Sequence, residues 1–265
     1  MNNTQGWLTL SHEEVLSALG ILRLPLPLGL GENPTAGYTE ETLNIAMTVA
    51  LGSLMAHDLA DRQGEDFVLA ADINAHLIVA VLAESCLLVN GDAHGMSSTA
   101  YYYINDGSVL GHTSPKERVH RFEFKAGIAA AIDESLQEII PYAGVQSGFA
   151  FEIDPMALSI AVEALTAGQS LSASSIMRQV GVDQPTIAAF IGSLGLKPVR
   201  YAFMAISGLR TPEPTMHSLV VIQGVEATWC ARSLQSPAGE MLSVTVVSRD
   251  ELALQLAELT QELVA

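Results

Sequence analysis

The sequence predicts an α+β fold made of two related halves, residues 1–141 and 142–265. Three observations carry this reading. Helical and strand periodicities alternate along the chain. The same order of elements recurs past residue 141. Short local matches also recur at a nearly constant offset.

The elements can be justified in order. Ser11-His12-Glu13-Glu14 fits a capping box, and Val15, Leu16, Leu19 and Leu22 follow at helical spacing until Pro25 and Pro27. Gly29 to Gly37 is turn-rich. Thr39 to Asp61 predicts a second helix with Leu43, Met47, Ala50, Leu51 and Leu54 on one stripe, and a third opens at Asp72. The period then shortens. Cys86 to Asn90 predicts a strand, and Asn105-Asp106-Gly107 predicts the turn of a hairpin between Ala100–Ile104 and Ser108–His112. Val119 to Phe124 is a further strand and Gly127 to Ile140 a helix; Tyr142 to Ile153 reads as a connector.

The second half repeats that order. Asp154-Pro155 and Asp183-Gln184-Pro185 start helices. Tyr201–Ser207, Leu219–Ile222, Ala227–Ala231 and Leu242–Val247 read as strands, and Ser248-Arg249-Asp250-Glu251 is a second capping box before a last helix. Leu43-Asn44-Ile45-Ala46 matches Leu158-Ser159-Ile160-Ala161 at an offset of 115. Asn90-Gly91, Asn105-Asp106-Gly107 and Asp133-Glu134 match Ser207-Gly208, the Gln223-Gly224 turn and Asp250-Glu251 at about 117. This period is too long for a solenoid. It predicts a pseudo-two-fold molecule in which the strands of both halves join or pack together.

Composition narrows the function classes. With 12 Lys+Arg against 29 Asp+Glu, the formal net charge of the 265 residues is −17. That balance argues against nucleic acid and anionic membrane surfaces, which are bound by clustered cations. Only 15% of residues are charged and 49% are hydrophobic, which excludes disorder. The longest apolar run, Leu77 to Ala83, is far shorter than the ~20 residues of a membrane span. The N-terminus has neither a basic region nor an apolar core of a signal peptide, so a cytoplasmic protein is expected. Cys86 and Cys230 lie in no zinc or disulfide spacing and read as core residues.

No pattern of catalysis emerges. The seven histidines form no metal-ligand pair, although His112 and His120 could meet across paired strands. There is no nucleophile elbow and no Walker loop, and Leu28-Gly29-Leu30-Gly31 is an incomplete dinucleotide fingerprint. No catalytic residue, cofactor or metal is therefore expected. Residues 171–194 have helix-turn-helix cadence, but the second helix carries no Lys or Arg, so they read as a packing unit. Asn90 to Thr99 reads as a glycine-rich loop, either a plain connection or one that reaches out to a partner.

The pattern as a whole resembles the EspG family of type VII (ESX) secretion-associated proteins. The resemblance rests on Val15-Leu16-Ser17-Ala18-Leu19-Gly20-Ile21-Leu22-Arg23-Leu24-Pro25, on Tyr102-Tyr103-Ile104 with Gly107-Ser108-Val109-Leu110-Gly111-His112, on His120-Arg121-Phe122, and on Val244-Thr245-Val246 running into the helix from Asp250. It covers nearly the full length. It implies duplicated pseudo-two-fold halves, with a central antiparallel sheet flanked by helical bundles. It also implies a cytosolic chaperone, without catalysis or cofactor, that keeps helical PE–PPE-like secretion substrates soluble. The family's substrate-touching loop corresponds most nearly to Gly91 to Thr99, which puts Asp92, His94 and Met96 among the expected partner-binding residues. The loop is short for the family, and this chain is more acidic.

The charge is uneven. Residues 1–150 hold 6 basic and 18 acidic residues, and residues 151–265 hold 6 and 11. An exposed apolar docking face is therefore expected in the second half, near Met177, Val180 and Ile187. The alternative for these three residues is plain core. Two other functions stay open: a non-secretory interaction or regulatory module, and a small-molecule-binding enzyme with a pocket between the halves. Whether the protein is a monomer or a dimer is left open too.

Overall fold

Local capping chemistry starts most of the helices, and strand pairing then joins everything into one sheet. The computed structural model describes residues 6–31, 33–93, 96–137, 148–195, 197–236, 239–261 and 263. Strand β1 (Trp7–Ser11) runs straight into helix α1 (His12–Leu22). There the Glu14 N–H donates to Ser11 Oγ at 3.2 Å, and the Ser11 N–H donates to Glu14 Oε2 at 2.7 Å. Residues 24–38 follow, with one 3-10 turn at Leu28–Leu30. Next come α2 (Glu40–Ala56), a small hairpin of β2 (Ala60–Gln63) and β3 (Asp66–Leu69), and α3 (Ala71–Leu82). Four strands follow: β4 (Ser85–Ala93), β5 (Met96–Asn105), β6 (Ser108–Lys116) and β7 (Val119–Lys125). Helix α4 (Ile128–Gln137) closes the half.

The second half runs β8 (Ala150–Ile153), α5 (Pro155–Thr166), α6 (Ser170–Gln179), α7 (Gln184–Leu194), β9 (Val199–Ser207), β10 (Thr215–Gln223), β11 (Thr228–Ser236), β12 (Gly239–Val246) and α8 (Arg249–Gln261). Asp154 and Asp183 cap α5 and α7, each accepting a backbone N–H at 3.0 Å. Ser248 and Glu251 complete a capping box on α8.

Ten strands form one antiparallel sheet in the order β1-β7-β6-β5-β4-β9-β10-β11-β12-β8. The order is mirrored about the β4–β9 seam. Each half contributes an outermost strand that precedes its helices, then the four-strand meander that follows them. At the seam the strands pair from Ser85↔Ser207 to Asp92↔Arg200. Because side chains alternate across a strand, each sheet face builds its own core. One face carries a cluster that spans both halves: Leu87, Val89 and Tyr102 meet Phe203, Leu219 and Val221 beneath α4 and α8. The other face carries two separate clusters. Leu10, Tyr103, Leu110 and Phe122 pack under α1 and α3, whereas Trp229, Ile222 and Phe151 pack under α5 and α7.

Several local expectations change. The second helix stops at Ala56 rather than Asp61, because Asp58 turns left-handed (φ 60) and the Leu59 N–H closes the helix end on the Leu54 carbonyl. Asn90 to Thr99 is mostly paired strand rather than loop, with β4 and β5 in register out to Ala93↔Met96. Within the expected connector, Ala150–Ile153 is edge strand β8, pairing with β12; residues 142–147 lie outside the described residues, as does the end of the helix expected to reach Ile140. The matched sequences fare unevenly. Leu43-Asn44-Ile45-Ala46 lies on α2 and Leu158-Ser159-Ile160-Ala161 on α5, but α5 follows β8 as α1 follows β1, so the two are not topological equivalents. Gly91 lies inside β4, and Gly208 lies beyond the end of β9. The Asn105-Asp106-Gly107 and Gln223-Gly224 turns do join corresponding strands.

Gly224 is where the second half tolerates no side chain. A Cβ there would meet backbone, at 2.2 Å from Leu194 Cα and 2.5 Å from the Ser193 carbonyl oxygen. Gly224→Ala is expected to lower stability by about 2–3 kcal/mol. Gly20→Ala, facing open space on α1, is expected to raise it by about 0.5–1 kcal/mol. Urea denaturation of the two variants checks this contrast, which a neutral Gly224→Ala would contradict.

Candidate functional site

The strongest candidate for a docking site lies where the β4–β5 hairpin of one half meets the start of β9 and the end of α5. Here a groove of about 500 Å³ is lined by Asp92, Val162, Glu163, Thr166, Ala167, Lys197, Pro198 and Arg200. Its floor and rim come from different levels of the fold. Asp92 sits near the end of β4, opposite Arg200 across the seam and opposite Ser97 across the hairpin. The hairpin presses closely on β9, since a Cβ at Gly91 would lie 3.1 Å from the Tyr201 ring and 2.9 Å from Ser98 Oγ. Thr99 Oγ1 donates to Asn90 Oδ1 at 2.9 Å and ties the two hairpin strands together. Two cations face two carboxylates in the groove, in a chain with only 12 Lys+Arg. Such a balanced polar rim around an apolar floor suits reversible protein contact better than capture of a small anion.

Apolar side chains stand exposed close by in the chain. Leu171, at the start of α6, is 87% exposed, and Met156 on α5 is 71% exposed.

The six residues expected to bind a partner separate into groups. Asp92 is exposed and lies in the groove. His94 lies outside the described residues, and Met96 begins β5 in register with Ala93. Val180, at the end of α6, is 41% exposed. Met177 and Ile187 are corrected: both are buried in the cluster under α5 and α7, at 0% and 1% exposure, so the expected apolar face is not built from them. The reason is geometric. Helix α6 packs on α5 and α7 packs on α6, with those residues inside the shared cluster, and the Val182 N–H closes the end of α6 on the Met177 carbonyl. Sequence reasoning missed Leu171, Lys197 and Arg200. Two cations three residues apart in a cation-poor chain were the available signal.

His112 and His120 do meet, with Nε2 and Nδ1 2.9 Å apart. They do so inside packed structure rather than in a cavity between the halves. Burial, the largest influence, lowers the pKa of His112 to about 3 and that of His120 to about 4. Among the described residues, no three His, Cys, Asp or Glu side chains are grouped to hold a metal ion, and no helix is long and apolar enough to cross a membrane.

Comparison with known proteins completes the picture. No protein-family profile matches the chain, and no curated protein matches it either. A solved structure does: that of the Mycobacterium tuberculosis type VII secretion system chaperone EspG5 in complex with the PE25-PPE41 dimer. The superposition has a TM-score of 0.65 and 10% sequence identity, covering 96% of this chain and 95% of that one. The chain has the EspG fold. What the two chains share is the fold.

The contrast between buried and open apolar residues can be measured. Met177→Asp places a carboxylate in the core and is expected to cost more than about 3 kcal/mol. Leu171→Asp is expected to change stability by less than about 0.5 kcal/mol. Thermal denaturation of the two variants checks this, and equal losses would contradict the placement of Leu171 at the surface.

Proposed function

We propose that this protein is a cytoplasmic chaperone or adaptor that binds a helical secretion substrate of the PE–PPE kind and keeps it soluble for export. The observation that carries the reading is the match over 96% of the chain to a chaperone captured with a PE–PPE dimer. Physical features agree with it. The net charge of −17 favours solubility of a carrier that presents apolar surface. The groove beside Asp92 and Arg200, with Leu171 beyond it, offers an apolar anchor framed by polar groups. In this reading the β4–β5 hairpin, including Asp92, His94 and Met96, is one wall of the contact and the α5–α6 corner is the other. Residues 1–141 and 142–265 are then diverged copies of one unit, of which only the second has kept the docking corner. No catalysis or cofactor enters the proposal.

Titration of the purified chain with a PE–PPE heterodimer from the same genome tests it. A stable complex is expected by size-exclusion chromatography and calorimetry. Arg200→Glu and Leu171→Asp are expected to weaken binding at least about tenfold with unchanged thermal stability. No complex with any such heterodimer would overturn the function. A complex indifferent to both substitutions would overturn the site but not the function.

A further inference from the structure

A line of polar groups crosses the first half beneath residues 24–38, and neither the groove nor the apolar core accounts for it. His12, the first residue of α1, has Nε2 2.8 Å from the Pro34 carbonyl oxygen and Nδ1 3.0 Å from Nε2 of His120 on β7. His120 Nδ1 is 2.9 Å from Nε2 of His112 on β6. His112 Nδ1 is 3.2 Å from the Tyr103 hydroxyl on β5. That hydroxyl accepts the Gly29 backbone N–H at 3.1 Å. All three rings are buried.

The carbonyl end determines every hydrogen along a line of neutral rings. A carbonyl oxygen only accepts, so His12 Nε2 carries the hydrogen. A neutral imidazole has one donor, so His12 Nδ1 accepts and His120 Nε2 must donate. The same step repeated makes His120 Nδ1 accept and His112 Nε2 donate. His112 Nδ1 is then left to accept the Tyr103 hydrogen, while the Tyr103 oxygen accepts the Gly29 N–H. The carbonyl end thus assigns one direction, with three neutral Nε2–H rings. A proton added to His120 gives it a second N–H, which meets the Nε2–H of His112.

Both ends grip the same segment. Gly29 and Pro34 belong to residues 24–38, which join α1 to α2; in the second half α5 and α6 are joined by residues 167–169 alone. Gly29 lies so close to the imidazole that a Cβ would come 2.4 Å from His112 Nδ1. We propose that the Tyr103–His112–His120–His12 line is a proton-sensitive strap. It fastens residues 24–38 across the first half while the rings are neutral, and it releases them when His120 gains a proton.

The charged and titratable surroundings fix the sign. Besides burial, His12 on α1 and then Arg118 from the β6–β7 turn oppose a charge on His120, while Glu13 on α1 favours it. Burial would raise the Glu13 carboxyl, but hydrogen bonds from Tyr38 and Arg118 outweigh it and hold the pKa at about 2. Glu14 is occupied by Ser11 and Ser53. Ser114 Oγ lies 3.4 Å from His120 Nδ1, Tyr101 stacks on His112, and Cys86 on β4 faces Tyr103. On α3, His76 packs on Phe124 and contacts the Asp72 carbonyl instead of joining the line. Burial lowers both His112 and His120 below the usual 6.5. The unfolded chain therefore takes up protons that the folded one refuses. The strap's contribution to stability is complete above pH 6.5 and is lost as pH falls from 6.5 towards 4. The Glu13 contribution is lost only lower, between 4.5 and 2.

Nitrogen-15 imidazole NMR of the full chain, combined with amide exchange from about pH 8 to about pH 3.5, tests the strap. His12, His112 and His120 are expected to show the Nε2–H tautomer at neutral pH. The protection factors of the amides of residues 24–38, taken against the intrinsic rate at each pH, are expected to fall at least about tenfold as His120 charges, with the β4 and β9 amides still protected. An Nδ1–H tautomer at any of the three, or loss of protection across the whole sheet together with the segment, would overturn the proposal. Tyr103→Phe removes one end at neutral pH. It is expected to leave the His112 Nε2–H tautomer in place, since the Pro34 end still dictates it, and to speed exchange of residues 24–38 about tenfold. Unchanged exchange in that variant would also overturn the proposal. Should Tyr103→Phe fail to fold, the wild-type tautomers and exchange profile decide alone.

Discussion

The backbone pairing of β4 with β9 is the constraint on which the other features depend. Eight residue pairs from Ser85↔Ser207 to Asp92↔Arg200 turn two five-strand half-sheets into one sheet of ten strands. Each half alone would leave an apolar edge strand unpaired, which is a template for aggregation. Joined, they bury Leu87 and Phe203 in one cluster beneath α4 and α8. The same seam sets Arg200 opposite Asp92, and so builds the groove from both halves. Architecture and candidate site therefore rest on a single register.

The two halves share a scaffold but differ in their decoration. The first half has an added stretch between α1 and α2, a small β2–β3 hairpin and the polar line from Tyr103 to His12. The second has a tight α5–α6 corner, capping aspartates at α5 and α7, and an aromatic cluster of Phe151, Phe190 and Trp229. Trp229 adds a hydrogen bond from its indole N–H to Ser193 at 2.9 Å, which satisfies a buried donor. Both halves pack an apolar cluster under their helices, and the first adds a line of directional polar contacts.

Much of the fold was legible because the signals were local. Ser11 with Glu14, Ser248 with Glu251, and the two Asp-capped helices are short-range chemistry, and all form as read. The Asp106-Gly107 turn adopts the positive backbone angles expected of it. What failed depended on long-range packing. Nothing local distinguishes the buried Met177 from the open Leu171, because both lie on α6 and only the position of α5 decides which face is covered. Edge strand β8 was read as a connector because its four residues form a strand only by pairing with β12. Two of the four sequence matches, at Leu43-Asn44-Ile45-Ala46 and Asn90-Gly91, misled in the same way, whereas the turn and Asp-Glu matches fall on elements that correspond in order.

The central claim is that a partner protein docks where the seam, the β4–β5 hairpin and the α5–α6 corner converge. Hydrogen–deuterium exchange of the chain, alone and with a bound PE–PPE heterodimer, tests it most directly. The account predicts protection concentrated in residues 90–99, 163–172 and 197–201, with α2 and residues 24–38 unchanged. Protection confined to the first half, or absent from all three stretches in a formed complex, would contradict it.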